Sequence, residues 1–382
     1  MAVLFVYVLL LVAASWWNRY RPKVPAVDDA VTSIAILIPA HNEESSIVAT
    51  IRSIQQADYS GPFEIFVIAD NCTDATASLA LSGGARVWKR FDTLNPGKGQ
   101  AIQWAISNHQ AVLDGFDCIA FVDADTRVDP QFLSKVNSAL NIQGAGAVQG
   151  FHGVLNGEDN WRASFTYLGF AGVNHVRPCG QYVLGGSAGI KGNGMAFRRE
   201  LLQQFGWPAH SIVEDLEMTL KLLLSGHRVA YEGNAVVRSE MPLTARQAYS
   251  QRERWEGGRH QVAKEYLPQL LKRFFATGQW RYLDAVVDLM VPPFTLMLML
   301  ACCALLVGLW ASHGVLIWVG FVGMLCVMAY SCSALLQTGA SLKVWRNLLA
   351  APLFLLWKVP LSLRLLGSRQ RAWKRTSRNS EQ

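Results

Sequence analysis

Three stretches of this sequence carry no charged side chain: residues 1–17, 290–310 and 315–336. The last two run 21 and 22 residues, and a helix needs about 20 to cross the hydrocarbon core of a bilayer. Only "ASHG" stands between them, so a tight antiparallel helical hairpin is expected. The first stretch, 17 residues, is near the lower limit for a span. No basic residue precedes its apolar core, and Arg19, Arg21 and Lys23 follow it. That order predicts a retained anchor rather than a cleaved leader. The positive-inside rule then places the domain that follows in the cytoplasm. The expectation is an integral protein of the cell (inner) membrane with a cytoplasmic catalytic domain.

Charged residues make up only 16% of the chain, against about a quarter in soluble domains, and the apolar stretches account for the deficit. The net charge of +7 is also local. From residue 341 onward there are nine Lys/Arg and one Glu, 9 − 1 = +8, which leaves 7 − 8 = −1 for the rest. A near-neutral body with a basic tail beside apolar helices points to the anionic cytoplasmic leaflet, or to a solvated tail, and not to nucleic acid. The seven cysteines form no CxxC pair, and Cys302, Cys303, Cys326 and Cys332 lie in the apolar hairpin. They read as small hydrophobes in a reducing compartment, with no zinc site or disulfide framework.

From residue 33 the pattern alternates. "SIAILIPA", "FEIFVIAD", "ARVWKR" and "CIAFVDAD" read as strands. "NEESSIVATIRSIQQAD", "DATASLALSGG", "GKGQAIQWAISNHQ" and "PQFLSKVNSAL" read as the helices that follow them, the last with Pro130 in its first turn. Such alternation predicts an α/β fold with a mostly parallel sheet flanked by helices. Ligands of such sheets bind beyond the carboxyl ends of the strands. The polar residues cluster there: His41, Asn42 and Glu43, then Asp70 to Asp74, then Asp123 and Asp125. Beyond residue 146 the alternation loosens and glycine is dense in "LGGSAGIKGNG".

Two carboxylates one residue apart, Asp123 and Asp125, repel unless something positive stands between or beside them. A metal ion, a basic side chain and solvent are the candidates. A carboxylate pair at a strand end can hold Mg²⁺ or Mn²⁺ against a diphosphate, and either residue alone could cap a helix. Strand followed by DxDxT also opens haloacid-dehalogenase-type phosphatases, although there the motif belongs near the start of the domain. Asp70 ends the second strand within reach of a ribose or base, while Asp74 suits a cap of the next helix. Lys98, between Gly97 and Gly99, can meet an anion at a helix start. Glu214 and Asp215 open a helix, where their charge is favoured, and one of them could act as a general base. "QRERW" offers an amide, a guanidinium and an indole (Gln251, Arg254 and Trp255), suited to a diphosphate and a sugar face or to an interfacial anchor.

The stretches "IPAHNEE", "VIADNCTD", "GKGQA", "VDAD", "GNGMAFRRE", "VEDLEMT" and "QRERW" occur in that order. Together they make the chain resemble the membrane-anchored glycosyltransferases of family 2, which include cellulose, hyaluronan and poly-N-acetylglucosamine synthases. The resemblance implies a GT-A fold, a nucleotide-sugar donor (a UDP-sugar) and a divalent cation, Mg²⁺ or Mn²⁺. It implies that Pro39, Ala40, His41, Glu43 and Asp70 hold the nucleoside and that Lys98 and Asp123 contact the nucleotide. It assigns the metal to Asp125, the diphosphate to Gln251 and Arg254, the acceptor side to Glu214 and Trp255, and the catalytic base to Asp215. The acidic motif reads Val-Glu-Asp where the synthases have Thr or Gly first, so one hydroxyl contact is missing. Position 41 is His where cellulose-type enzymes often carry an aromatic.

The expected organisation is an anchor at 1–17, a linker at 18–32 and a GT-A domain at 33–258. Interfacial helices follow at 259–289, a transmembrane hairpin at 290–338, and an interfacial segment with a basic tail at 339–382. The expected activity is inverting transfer of a sugar to a hydroxyl of a polysaccharide or lipid-linked acceptor at the membrane. A single transfer to a lipid headgroup, a phosphatase, and a non-catalytic assembly protein are the alternatives. The few expected spans argue against one chain secreting its own polymer. An export partner is unassigned.

Overall fold

The structure, a computed structural model, describes residues 2–20, 31–142, 144–207, 213–241 and 245–354; the side chains of 2, 142 and 245–257 lie outside the description. Within these residues the chain divides into two compact units. One is made of the described residues in 31–155 and 187–266; the other is made of those in 2–20, 156–186 and 267–354.

The first unit is built on a sheet of eight strands: β1 Ile34–Ala40, β2 Phe63–Asp70, β3 Arg86–Arg90, β4 Cys118–Phe121, β5 Thr126–Val128, β6 Ala147–Val154, β7 Met195–Arg198 and β8 Val229–Ser239. Their order is β3-β2-β1-β4-β7-β6-β8-β5. β1 to β4 are parallel, as their alternation with helices predicts. β7 then runs antiparallel to both β4 and β6, β6 and β8 are parallel, and β5 is antiparallel to β8. The sheet is therefore mixed; helices still separate β5, β6, β7 and β8 along the chain, but this is the half in which the sequence pattern loosens.

β1 is central, and Ile34, Ile36, Leu37 and Ile38 are fully buried. A parallel strand covered on both faces reads as a continuous apolar run for this reason. Ile47, Ile51 and Ile54 form the buried face of the helix Ile47–Gln55, at the i, i+4, i+7 spacing of an amphipathic helix. Phe121 of β4 meets Phe197 of β7 edge-on at 5.8 Å and Trp207 at 5.4 Å between ring centres.

Two boundaries differ from expectation. β4 ends at Phe121, so Asp123 and Asp125 stand in the turn between β4 and β5 rather than in a strand. Val122 still donates its amide to Leu37, but Thr126 turns back to donate to the carbonyl of Asp123 at 3.2 Å. The helix expected to carry Pro130 in its first turn runs Phe132–Ile142. Pro130 precedes it, and Phe132 instead donates to the carbonyl of Asp129 at 2.9 Å.

In the second unit, Ala2–Tyr20, Phe294–Trp310 and Gly314–Gln337 are helical. Val3–Tyr20 and Gly314–Gln337 are long and apolar enough to cross a membrane. Trp280–Met290 and Phe294–Trp310 would make a third span if taken as one, bent by 71°. The stretch 290–310 thus divides: Met290 closes one helix, and Pro293, which fits the start of a helix and not its interior, precedes the next. The hairpin is tight because glycines let its backbones touch. A Cβ on Gly308 would lie 2.6 Å from the amide nitrogen of Ile317, and one on Gly320 would lie 2.4 Å from that of Leu305. The interfacial segment and basic tail expected at 339–382 are described only to residue 354, and the rest lies outside the described residues.

Candidate active site

The loops after β1 and β2 are stitched to one another by side chains. Asn42 and Asn71 both adopt left-handed backbone, with φ of 55° and 50°, a conformation Asn tolerates better than most residues. Asn42 Oδ1 accepts from the Thr73 amide at 2.8 Å. Glu44 accepts from the Ala75 amide at 3.0 Å, and its own amide donates to Asp74 at 3.2 Å. Asp74 also accepts from the amide of Thr76 at 2.9 Å, the first amide of the helix Thr76–Ser82, although the N-cap position itself falls to Ala75 and not to Asp74. Burial pushes the Asp74 carboxyl up, but the hydroxyl and amide of Thr76 more than offset this and hold it below the usual range. Glu43 is buried, its amide bonded to the Thr76 hydroxyl at 2.7 Å and its carboxylate to Ser46 at 3.1 Å. Pro39 and Ala40 are the last residues of β1, in register with Ile68 and Ala69.

Asp70 has an internal cation that its own motif does not announce. Its Oδ1 accepts from Arg90 Nη1 at 2.6 Å, with both side chains almost fully buried. Arg90 Nη2 goes on to Asp92 at 2.8 Å and to the carbonyl of Asn95 at 2.8 Å. Asn71 bonds both sides of the Asp92 backbone, at 2.8 and 3.0 Å. Burial raises the Asp70 carboxyl above the usual range, with Arg90 acting against it. His41 Nδ1 lies 2.7 Å from the Asp70 carbonyl. A carbonyl only accepts, so Nδ1 carries the proton there.

The positive partner of Asp123 is Lys98, the first residue of the helix Lys98–Asn108. Lys98 Nζ also donates to the carbonyl of Gly192 at 2.5 Å. Burial opposes its charge, but Asp123 and Glu214 hold the ammonium above its usual range. Gly192 has φ of 76°. A Cβ there would sit 3.3 Å from Asp215 Oδ2 and 3.7 Å from Lys98 Nζ, so this glycine loop lies against both. Asp215, in the first turn of the helix Glu214–Leu224, accepts from the next amide, Leu216, at 2.8 Å. Burial raises its carboxyl, while Leu216, Lys98 and Lys191 pull it back. A carboxylate shifted upward is a stronger base than an ordinary Asp.

Asn193, next in the glycine loop, is 1% exposed and was not singled out from sequence. Its Oδ1 accepts from the Asp123 amide at 3.1 Å. Its Nδ2 donates to Thr126 Oγ1 at 2.9 Å and Ser239 Oγ at 3.1 Å. His152 Nε2 lies 3.0 Å from Ser239 Oγ, and burial lowers this imidazole to about 4. Gly194 follows with φ of 65°, and a Cβ there would lie 2.6 Å from Val237 Cγ2. Only the repeated glycines around Asn193 hint at this loop in sequence.

Asp125 is partly exposed in the turn after β4. Among the described residues no group of three His, Cys, Asp or Glu is placed to hold a metal. One carboxylate with a second beside it does fit a hard cation that takes most of its oxygens from a diphosphate and water, as Mg²⁺ does with substrate phosphates. Asp123, Lys98, Gly192 and Asp215 therefore converge, with Glu214 acting on Lys98 through its charge. Asp70, His41 and Glu43 form a polar corner at the ends of β1 and β2, where the Gly97 backbone amide, one residue before Lys98, also reaches Asp70. Gln251, Arg254 and Trp255 fall on the helix Ala245–Thr277, but their side chains lie outside the described residues.

A profile of the family described as "Glycosyltransferase like family 2" matches residues 32–258. A beta-monoglucosyldiacylglycerol synthase of Nostoc sp. is 27% identical over 283 residues, 72% of this chain and 59% of that protein. A poly-beta-1,6-N-acetyl-D-glucosamine synthase of Staphylococcus aureus is 26% identical over 266 residues, 67% of this chain and 60% of that protein. The match thus spans about three fifths of the length of these curated relatives. The mannosyltransferase PcManGT of Pyrobaculum calidifontis, solved with GDP-Man and Mn²⁺, aligns over 97% of each chain with a TM-score of 0.54 and 17% identity. That likeness is one of fold, and it bears out the GT-A expectation.

Proposed function

This chain belongs to glycosyltransferase family 2, and on that premise we propose that it transfers a sugar, with inversion, from a nucleotide-sugar to a hydroxyl of a glycan or lipid acceptor at a membrane. The observation that carries the reading is the glycine loop at 192, which lies against both Lys98 and Asp215 while Lys98 bonds Asp123. A cation for the leaving phosphate and a proton-accepting carboxylate are thus held around one backbone position.

Asp215 removes the proton as the acceptor hydroxyl attacks the anomeric carbon. The bond from that carbon to the diphosphate oxygen breaks on the opposite face, so one transfer inverts the centre without a covalent intermediate. Lys98 stabilises charge growing on the leaving diphosphate. Electrostatic groups of this kind are commonly worth about 3–4 kcal/mol in a transition state. Asp125, with Asp123 beside it, would hold a divalent cation, which when bound neutralises the diphosphate further. Asp70, His41 and Glu43, at the ends of β1 and β2, take the nucleoside, and Gln251 and Arg254 take the diphosphate. Glu214 and Trp255 serve the acceptor.

Helices able to cross a membrane in the same chain favour an acceptor at the bilayer. The glycolipid and polysaccharide synthases among its relatives support either a lipid headgroup or a growing glycan. The test is release of nucleoside diphosphate from membranes containing the protein, supplied in turn with UDP- and GDP-sugars and with Mg²⁺ or Mn²⁺. Donor-selective, cation-dependent release that disappears in Asp215→Asn is expected. Radiolabelled sugar partitioning into the lipid extract or into polymer separates the acceptors. Phosphomonoester hydrolysis without any sugar donor, and no diphosphate release, would sink the transferase reading.

A further inference from the structure

The turn that carries Asp123 and Asp125 is gripped by its backbone. Ala124, between the two carboxylates, offers its carbonyl to the Thr50 hydroxyl at 2.7 Å. Thr50 lies in the helix Ile47–Gln55 and is fully buried. Among the described residues its other acceptor is the carbonyl of Ser46, the N-cap of its helix, longer at 3.3 Å, so the single hydroxyl hydrogen goes to Ala124. One residue earlier, the Asp123 amide is held by Asn193 Oδ1 at 3.1 Å.

The Asp123 amide can only donate, so the Asn193 atom facing it is the acceptor Oδ1 and Nδ2 faces the other way. Nδ2 points at two hydroxyls, Thr126 Oγ1 and Ser239 Oγ, which are 3.0 Å apart. His152 is neutral, and its Nε2 also lies 3.4 Å from Asn193 Nδ2, a donor. Nε2 therefore accepts, Ser239 donates to it, and Thr126 donates to Ser239. Every hydroxyl hydrogen is then spent, and Asn193 Oδ1 receives the Asp123 amide. A buried network with all members satisfied is rigid, and this one ends on the backbone of the acidic turn. Thr50 and Asn193 are uncharged and bond the backbone of the turn, so they set position without altering the charge of the site.

We propose that Thr50 and Asn193 are positioning residues that fix where Asp123 and Asp125 stand for binding a divalent cation with a nucleoside diphosphate. This rests on the transferase reading above. Groups that orient metal ligands typically change metal affinity by about 10–100-fold when removed. Thr50→Val keeps the shape and removes only the hydroxyl; Thr50→Ser keeps the hydroxyl.

The experiment titrates Mn²⁺ against the purified full chain in detergent with UDP or GDP present. It reads nucleotide binding by calorimetry and melting temperature alongside. Thr50→Val and Asn193→Ala should each raise the Mn²⁺ needed for half-maximal nucleotide binding by about tenfold or more. Thr50→Ser should return to the wild-type value, and binding without metal should be unchanged. If Thr50→Val titrates like wild type, the inference is wrong, whatever its melting temperature. The same holds if it loses metal-free binding to an equal degree. Should Asn193→Ala not fold, the Thr50 pair decides. Wild-type protein whose nucleotide binding ignores Mn²⁺ would overturn the metal reading itself, and is told apart by needing no variant.

Discussion

The ammonium of Lys98 is bonded to the carboxylate of Asp123, 25 residues away in sequence, and donates 2.5 Å to the carbonyl of Gly192. One side chain at the start of a helix thereby ties the end of β4 to the glycine loop that leads into β7. Lys98→Met should lower kcat/KM for the donor roughly 10- to 150-fold, since a hydrogen bond to a charged group is worth about 1.5–3 kcal/mol. Steady-state diphosphate release across donor concentrations reads this. An unchanged kcat/KM would remove Lys98 from the site.

Asp215→Asn keeps the shape of the side chain and removes its basicity. Turnover should fall by at least about 10², the usual lower value of a positioned base, while donor affinity stays near wild type. Calorimetry with the nucleotide, set beside single-turnover rates, separates the two. Weakened donor binding in proportion to lost turnover would make Asp215 a structural or donor-binding group.

The pH dependence follows from the direction in which Asp215 is shifted. Burial raises its carboxyl above the ordinary range, so the acid limb of kcat/KM should have its midpoint above about 3.9, the usual Asp value. The same shift predicts a stability difference. A carboxyl whose folded pKa is raised favours folding most below its unfolded pKa, and that contribution is lost as pH rises through the folded value. Asp215→Asn should therefore melt no lower than wild type at pH 7, and its relative advantage should shrink on acidification. Melting curves at several pH values check this; a variant that melts well below wild type at pH 7 contradicts it.

Arg90 and Asp70 form an ion pair with side chains 4% and 6% exposed. Arg90→Met leaves the Asp70 carboxylate buried without its cation, and such a removal costs about 3–5 kcal/mol. Denaturant unfolding should show that loss, and nucleotide binding should weaken with it as the corner beside His41 loosens. Full stability in the variant would mean that Asp70 is satisfied by its amide neighbours alone.

The first four strands were legible because each is a local apolar run, and a buried parallel strand is apolar along its whole length. The polar residues at their ends were legible for the complementary reason: a charge at the edge of such a run must emerge or be paired. β6, β7 and β8 were not legible as strands. Gly150, in β6, shows why. A Cβ there would lie 2.3 Å from the carbonyl of Ala235, and the β6–β8 register shifts at this position. The glycine that interrupts the apolar pattern in sequence is a close backbone contact in space. Asn193 escaped notice likewise, since a lone Asn between glycines looks like a turn until the sheet order brings Thr126, His152 and Ser239 to it.

By itself the sequence determined the parallel half of the sheet, the acidic residues at the strand ends and the apolar helices, because hydrophobic periodicity and helix length are properties of neighbouring residues. Tertiary structure alone decided the partners. Of a metal ion, a basic side chain and solvent, it set a basic side chain, Lys98, on Asp123. It set Arg90 on Asp70, and Thr50 and Asn193 on the backbone of the acidic turn. These pairs are 20 to 74 residues apart along the chain, and they meet because β2 lies between β3 and β1, with Asp70 and Arg90 in register, and β4 lies between β1 and β7. A charge or an amide in a sequence states only that a partner is needed; the order of the strands determines which one it gets.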